Sequence, residues 1–358
     1  MRCVFRADAS VSLGSGHVRR CLSLARQLRA RDAAVLFVCG DAPGNMIEQI
    51  AACGAAVARL PAGDERRDEA SADDSGWRLD AQHTHNAIEA AGFDPHWLVV
   101  DHYRLDARWE RTLRRQARHV MAIDDLADRP HDCDVLLDQN LTNPRHARYP
   151  RLLPAGARLL LGPQYALLAP EFRQQRGAAL ARRRGQLRRL LISMGGTDPS
   201  NDTARALDGL QRSRCAGLAV DVVIGAANPH RGALEARCSR VPGCTLHVQT
   251  ARMAELMTQA DLAISGGGST TWERCALGLP AIAVSQSEDQ LAIARAMADA
   301  GGQQLLGASA DVGEADYAAA LDGMTAATLR DMSAAAARLC DGGGAERVAT
   351  QLTDWRDG

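Results

Sequence analysis

At 358 residues the chain is long for one hydrophobic core and suits two domains. A formal net charge of −1 gives no field for nucleic acid or an anionic membrane surface, so an anionic ligand has to be held by a local site. Hydrophobic residues make up 46% of the chain and aromatics only 4%, which favours helices packed on parallel strands over an aromatic-rich β-sandwich.

The opening MRCVFRAD lacks the basic and apolar regions of a signal peptide, and no apolar run nears the roughly 18 residues of a membrane span. A cytoplasmic protein is expected. The ten cysteines fall singly, with no CxxC pair, and read as free thiols, not as a disulfide framework or a zinc site.

In chain order, the first half offers strands at Cys3–Arg6, Val35–Cys39, Trp97–Asp101, Val120–Ile123 and Val135–Leu137. A helix is predicted over His17–Arg29, with Val18, Cys21, Leu22, Leu24, Ala25 and Leu28 at helical spacing. The polar stretch Pro61–Ala81 reads as a loop. The second half repeats the pattern at Leu190–Ser193, Val220–Ile224, Thr245–Val248, Leu262–Ser265 and Ala281–Val284. Thr250 is expected to cap a helix carrying Met253, Leu256 and Met257. Between the halves, the arginine-rich APEFRQQRGAALARRRGQLRRL reads as a solvated helical linker or a polyanion-binding patch. The expected division is 1–168, a linker over 169–188, and 189–358, with the last helices able to pack back on the first domain.

In open α/β sheets, ligands sit beyond the carboxyl ends of the strands, and the chemistry-bearing residues fall there. After the first strand come Asp8 and then Gly14-Ser15-Gly16-His17 at the start of a helix. Glycines before a helix let N–H groups approach an anion. A dinucleotide site is a weak rival, because the third glycine of its fingerprint falls at Arg19. His17 suits a general base, since the positive end of a helix disfavours an imidazolium. Asp101, His102 and Tyr103 end another strand, as a turn or as part of a site. Asp124 and Asp125, or His131 with Cys133, lack the further ligands of a metal centre, so no metal and no cofactor is expected.

In the second half, Gly195-Gly196-Thr197-Asp198 and Gly266-Gly267-Gly268-Ser269 follow strands and precede helices, a pattern that suits a phosphate. Glu273 either closes a capping box with Thr270 or accepts hydrogen bonds from ribose hydroxyls. Asp289-Gln290 is a helix start or a sugar contact.

At these residues the chain resembles a known family. FRADAS, GSGHVRRCLSLA, VVDHYRLDARWE, DCDVLLDQN, LLGPQYALLAPEF, SMGGTDPSN, Asn228-Pro229-His230 and MAELMTQADLAISGGGSTTWERCALGLP occur in order, followed by Gln290. Together they closely resemble the UDP-sugar hydrolases of pseudaminic acid biosynthesis. That family is related in fold to the GT-B glycosyltransferases, including the peptidoglycan enzyme that adds N-acetylglucosamine to lipid I. The resemblance implies a GT-B-like α/β fold, two Rossmann-like domains with parallel sheets facing across a cleft. It implies hydrolysis of UDP-2,4-diacetamido-2,4,6-trideoxy-β-L-altropyranose to UDP and the free sugar, with His17 activating water at the anomeric carbon and no metal. Asp8, Gly14, Gly16 and Tyr103 match sugar-side positions; Gly195, Gly196, Thr197, Gly268, Ser269 and Glu273 match nucleotide-side ones. Trp272 departs from some relatives, so contacts from that position do not carry over. The expected partner is the UDP-sugar alone, without nucleic acid or membrane, in a monomer or weak oligomer. A GT-B glycosyltransferase and a non-catalytic sugar-nucleotide-binding protein stand as the competing readings.

Overall fold

The computed structural model describes residues 1–61, 76–141 and 148–356. The chain forms two compact units, one taking in Met1–Asn140, Pro144–Ala169 and the residues from Gly343 onward, the other Leu141–Asn143 and Pro170–Gly342.

In the first unit, the strands are β1 (Arg2–Ala7), β2 (Ala34–Gly40), β3 (Ala56–Leu60), β4 (Trp97–Asp101), β5 (His119–Ile123), β6 (Val135–Asp138) and β7 (Arg158–Leu161). They form a parallel sheet in the order β3-β2-β1-β4-β5-β6-β7. Successive side chains of a strand point to opposite faces, so each strand feeds two cores. Cys3 and Phe5 of β1 join Phe37, Val99 and Met121 under α1 (Gly16–Arg29). Val4 joins Leu36, Leu98, Val100 and Trp109 on the other face, with α3 (Gly76–Ala90) and α4 (Ala107–Leu113). A short α2 (Ile47–Ala52) sits between β2 and β3. Residues 76–81, read from sequence as loop, are the start of α3, because Ala81, Thr84 and Ile88 recur at helical spacing and are buried. The rest of that stretch, residues 62–75, lies outside the described residues.

The second unit carries α5 (Pro170–Arg182), β8 (Arg189–Ser193), α6 (Asp202–Arg212), β9 (Ala219–Ile224), α7 (Arg231–Cys238), β10 (Cys244–Val248) and α8 (Met253–Gln259). It continues with β11 (Leu262–Gly266), α9 (Thr270–Ala276), β12 (Ala281–Ser285), α10 (Glu288–Asp299), β13 (Gln304–Ala308), α11 (Glu314–Asp322) and α12 (Ala326–Leu339). Its sheet order is β10-β9-β8-β11-β12-β13, again parallel. The order reverses at β8/β11, the switch point where doubly wound sheets open a crevice. A last helix, α13 (Gly344–Thr353), belongs to the first unit: Val348, Ala349 and Leu352 enter the core beneath α1, and Trp97 Nε1 donates to Leu352 O. No helix among the described residues is long and apolar enough to cross a membrane.

The arginine-rich segment is helical over α5 and largely exposed, as a solvated helix would be, but two of its arginines hold neighbouring helix ends. Arg176 Nη1 donates to Ala276 O and Cys340 O, and Nη2 to Ala337 O, at the ends of α9 and α12. Arg183 donates to Met257 O, Ala260 O, Leu277 O and Gly278 O, the carbonyls that α8 and α9 leave unpaired. A cation at helix C-termini satisfies both hydrogen bonding and the macrodipole. Burial, partly offset by the charge of Asp261, pushes Arg183 down to about 10, so it still carries its charge at neutral pH. Substituting Arg183→Met is expected to lower the unfolding free energy by about 2–3 kcal/mol, since charge-assisted hydrogen bonds contribute most among neutral and ionic ones. Urea denaturation measures this, and an unchanged midpoint would show that water replaces the guanidinium without loss.

Candidate functional site

The parallel sheet of the first unit gathers its strand ends along one edge, where polar residues are buried. Asp101, the last residue of β4, is fully buried. Its Oδ1 accepts from His17 Nδ1 at 2.6 Å and Arg20 Nη2 at 2.7 Å, and its Oδ2 from Arg20 Nε at 2.6 Å and Cys21 Sγ at 3.5 Å. Burial opposes the charge of Asp101, but Arg20 and His17 outweigh it and hold the carboxyl far below its usual range. Arg20 Nη1 reaches on to Asp125 Oδ2 at 2.9 Å.

This arrangement fixes the tautomer of His17. An ionised carboxylate only accepts, so Nδ1 carries the hydrogen. The contact from Arg20 Nη2 to Nδ1, at 3.2 Å, is then a proximity of two donors sharing one carboxylate. In the neutral ring the lone pair lies on Nε2, which no hydrogen bond engages among the described residues. Tyr103 stands edge-on to the imidazole, with centroids 4.5 Å apart, and is 42% exposed at the rim. Sequence reasoning placed His17 and Tyr103 at this edge; it weighed Asp101 only as turn or site and missed the role of Arg20. Their i, i+3 spacing on α1 was the available signal, since it puts His17 and Arg20 on one helical face.

Other expected residues have structural partners. Gly14 adopts φ +74 and exchanges hydrogen bonds with Ser10, so its N–H closes the loop and is not offered to an anion. Gly16 begins α1 with open space beside it. Asp8 is held by Arg6 (2.6 and 2.8 Å) and Gly40 N (2.7 Å), and lies 3.4 Å from His102 Nε2. Burial raises Asp8, but Arg6 and His102 hold it well below the carboxylate range.

Asp124 and Asp125 diverge, as extended neighbours do. Asp125 faces Arg20, while Asp124 pairs with Arg129 at 2.9 Å and accepts from Ala127 N at 2.8 Å. His131 Nδ1 lies 2.6 Å from Glu110 Oε1, with Nε2 at 3.9 Å from Asp124 Oδ1. Burial opposes the imidazolium, yet the two carboxylates push His131 up to about 9. Asp124, raised by burial but lowered by His131 and Arg129, comes down to about 2. Glu110 and Asp124 thus favour the charged form of His131, while burial pushes the thiol of the nearby Cys133 upward.

In the second unit the loop Gly195–Thr197 is exposed after β8, and Gly195 takes φ +92. Gly196 O accepts from Gly225 N at 3.0 Å, and a side chain on Gly225 would strike it. Asp198 accepts from Asp202 N and Thr203 N at 2.9 Å, and α6 has Asn201 as its N-cap, so the helix starts after Pro199 and Ser200 and not at them. Gly266 and Gly267 are buried, Gly268 is half-buried and Ser269 is exposed. The N-cap of α9 is Ser269, without a side-chain bond, so Thr270 and Glu273 form no capping box; Glu273 sits half-buried on the first turn. The buried Oε1 of Gln290 lacks a partner and lies 3.5 Å from where a Cβ on Gly267 would be. Thr250 likewise does not cap α8. Its hydroxyl accepts from Arg252 N in a local turn, and Arg252 is the N-cap.

The His131 pair has a pH signature. A folded pKa raised to about 9 above an unfolded value near ~6.5 gives stability fully present below ~6.5 and lost as pH rises through 9. Between those limits the wild type should lose up to about 1.4 kcal/mol per pH unit more than His131→Gln. Parallel slopes of unfolding free energy against pH for the two proteins would contradict this.

Residues 222–334 match the glycosyltransferase family 28 C-terminal domain. The chain is 34% identical over 151 residues to the spore coat polysaccharide biosynthesis protein SpsG of Bacillus subtilis, covering 42% of this chain and 44% of that one. It thus spans less than half the length of that relative. It is 25% identical over 273 residues to the UDP-2,4-diacetamido-2,4,6-trideoxy-β-L-altropyranose hydrolase of Campylobacter jejuni, covering 75% of this chain and 86% of that one. Among solved structures, MurG of Acinetobacter baumannii superposes with a TM-score of 0.67 at 16% identity, covering 99% of this chain and 100% of that chain. Two doubly wound parallel units together with this likeness make the fold GT-B-like.

Proposed function

We propose that this chain is an enzyme that hydrolyses a UDP-linked amino deoxysugar, with His17 as general base. The observation that carries the reading is the His17–Asp101 pair: Nδ1–H is held on a buried carboxylate and the opposite nitrogen is left to take a proton. The likeness to the Campylobacter jejuni hydrolase supports the reaction and the sugar class.

In this mechanism Nε2 accepts a proton from water as the water oxygen bonds to the anomeric carbon. The bond from that carbon to the diphosphate oxygen breaks, and UDP leaves with the electron pair. The proton on Nε2 then passes to solvent, restoring the base. Asp101 is a positioning residue that steadies the imidazolium formed on the way, as the third group does in other nucleophile-activating sets. UDP is a fair leaving group, so stabilising its charge matters more than protonating it. The glycine loops Gly195–Thr197 and Gly266–Ser269, with Glu273 and Gln290, are assigned to the nucleotide and its sugar. Tyr103 and the loop around Gly14 and Gly16 are assigned to the sugar side. Asp8 is assigned to holding that side together through Arg6 and His102. No step calls on a metal, and Asp124 and Asp125 already serve Arg129 and Arg20.

A transferase is the second reading, favoured by the family 28 match and by exposed Val11 and Leu13 (54% and 39%) in the loop before His17. Such apolar residues suit an acceptor.

Pure protein incubated with the altropyranose UDP-sugar, EDTA and water alone should release UDP. Release that waits for an added alcohol would establish the transferase, and a requirement for a divalent cation would overturn the metal-free mechanism. His17→Asn should lower kcat by about 10²-fold or more with UDP binding nearly intact, because it removes the proton acceptor and not the nucleotide loops. Near-normal turnover in that variant would remove His17 from the mechanism.

Water attack is expected at carbon. The cation that touches the His17 ring, Arg20, is spent on Asp101 and Asp125, so the base sits among anionic groups that suit a cationic anomeric centre better than a diphosphate. In ¹⁸O-water the label should enter the anomeric hydroxyl; label in UDP would mean attack at phosphorus.

A further inference from the structure

Gln286 follows β12, and its side chain lies beside both glycine loops of the second unit. Its Nε2 donates to Asp198 Oδ1 at 3.3 Å and to Asp202 Oδ2 at 3.4 Å. Asp202 is fully buried; its oxygens also accept from Arg205, Ser200 and Ser309. A carboxylate so supplied with donors is an acceptor only, which decides the orientation of the Gln286 amide: a flipped amide would set oxygen against oxygen. Oε1 therefore points away from the two aspartates. It lies 3.1 Å from where a Cβ on Gly266 would sit and 3.9 Å from the same point on Gly195. Both of the side chain's hydrogen bonds run from Nε2, so this oxygen is an oriented acceptor presented where the two loops approach.

We propose that Gln286 is a recognition residue of the second unit, its amide oxygen accepting a hydrogen bond from a neutral donor of the bound ligand, a hydroxyl or an imide N–H. The proposal rests on the reading that these loops hold a sugar nucleotide. It divides that ligand over the site. A phosphate oxygen at this point would face a carbonyl oxygen backed by two aspartates, with repulsion and no donor. The diphosphate accordingly belongs nearer Gly267–Ser269, and a hydroxyl or base edge belongs beside Gly195 and Gly266. The requirement also accounts for Gly266, where any side chain would press on Oε1.

Calorimetry with UDP and with UDP-N-acetylglucosamine, on wild type and Gln286→Met, tests this, with thermal unfolding as the check on folding. The variant should bind one or both ligands about 5–10-fold more weakly, roughly the cost of one hydrogen bond. A loss with both ligands places the donor on the nucleoside; a loss with UDP-N-acetylglucosamine alone places it on the sugar. Wild type should also bind 2′-deoxy-UDP, 3′-deoxy-UDP or 3-methyl-UDP more weakly if the donor is nucleosidic, and the variant should be indifferent to the same deletion. Equal affinities of a folded Gln286→Met and wild type for both ligands overturn the proposal. If the variant does not fold, the wild-type series decides, and it overturns the proposal when no deletion weakens binding and the sugar adds nothing. Wild type binding neither ligand would instead overturn the reading of the loops.

Discussion

A carboxylate with no exposure to water governs the edge of the first unit. Asp101 at the end of β4 would cost several kcal/mol if left unpaired. Neutralising it draws in α1 through His17 and Arg20, and Arg20 then draws in Asp125 beyond β5. Three elements are thus registered against one another by one charge. The same device recurs at β1, where Arg6 is 3% exposed and pairs with Asp8 and Asp80. Buried ion pairs are weak contributors to net stability, but breaking one strands a charge, so they penalise any other arrangement of the strand ends.

The neighbouring carboxyl groups are not equivalent. Asp124, between Arg129 and His131, comes down to about 2, whereas burial takes Asp138 up to about 6 despite Arg148 and the N–H of Asn140. One sheet edge therefore holds one carboxyl group drawn down by its cations and another pushed up by burial. What separates them is the count of nearby cations, not depth. A sheet that ends in aspartates can tune each one by the loop that follows it.

The central strands were legible because parallel strands covered on both faces read as unbroken apolar runs. Trp97–Asp101 is a case where reading and structure coincide to the residue. The strands that escaped notice, Ala56–Leu60, Arg158–Leu161 and Gln304–Ala308, carry half-exposed or exposed residues and lose that pattern. Capping was the other blind spot. The start of α9 at Thr270 agrees with the spacing, but its N-cap is Ser269 without a side-chain bond, and α8 begins at Met253 with Arg252, not Thr250, as its N-cap. Within the candidate site, His17 was legible from its place after a strand and before a helix. Arg20 announced itself only by its i, i+3 spacing from His17, and Gln286, Arg176 and Arg183 not at all, because their partners lie far away in sequence.

The placement of α13 bears on how the molecule is made. Its Val348, Ala349 and Leu352 close the core over α1, and Gly344 packs so tightly on the Tyr165–Ala166 backbone that a methyl group would not fit. These residues are synthesised after the whole of Pro170–Gly342. During translation the first unit therefore emerges with the flank of α1 bare, while nearly all of the second lies in one continuous stretch. The order of emergence and the order of completion are inverted. The half of the protein that carries His17 is the half whose core waits for α13, a helix that follows the whole of the second unit in the chain.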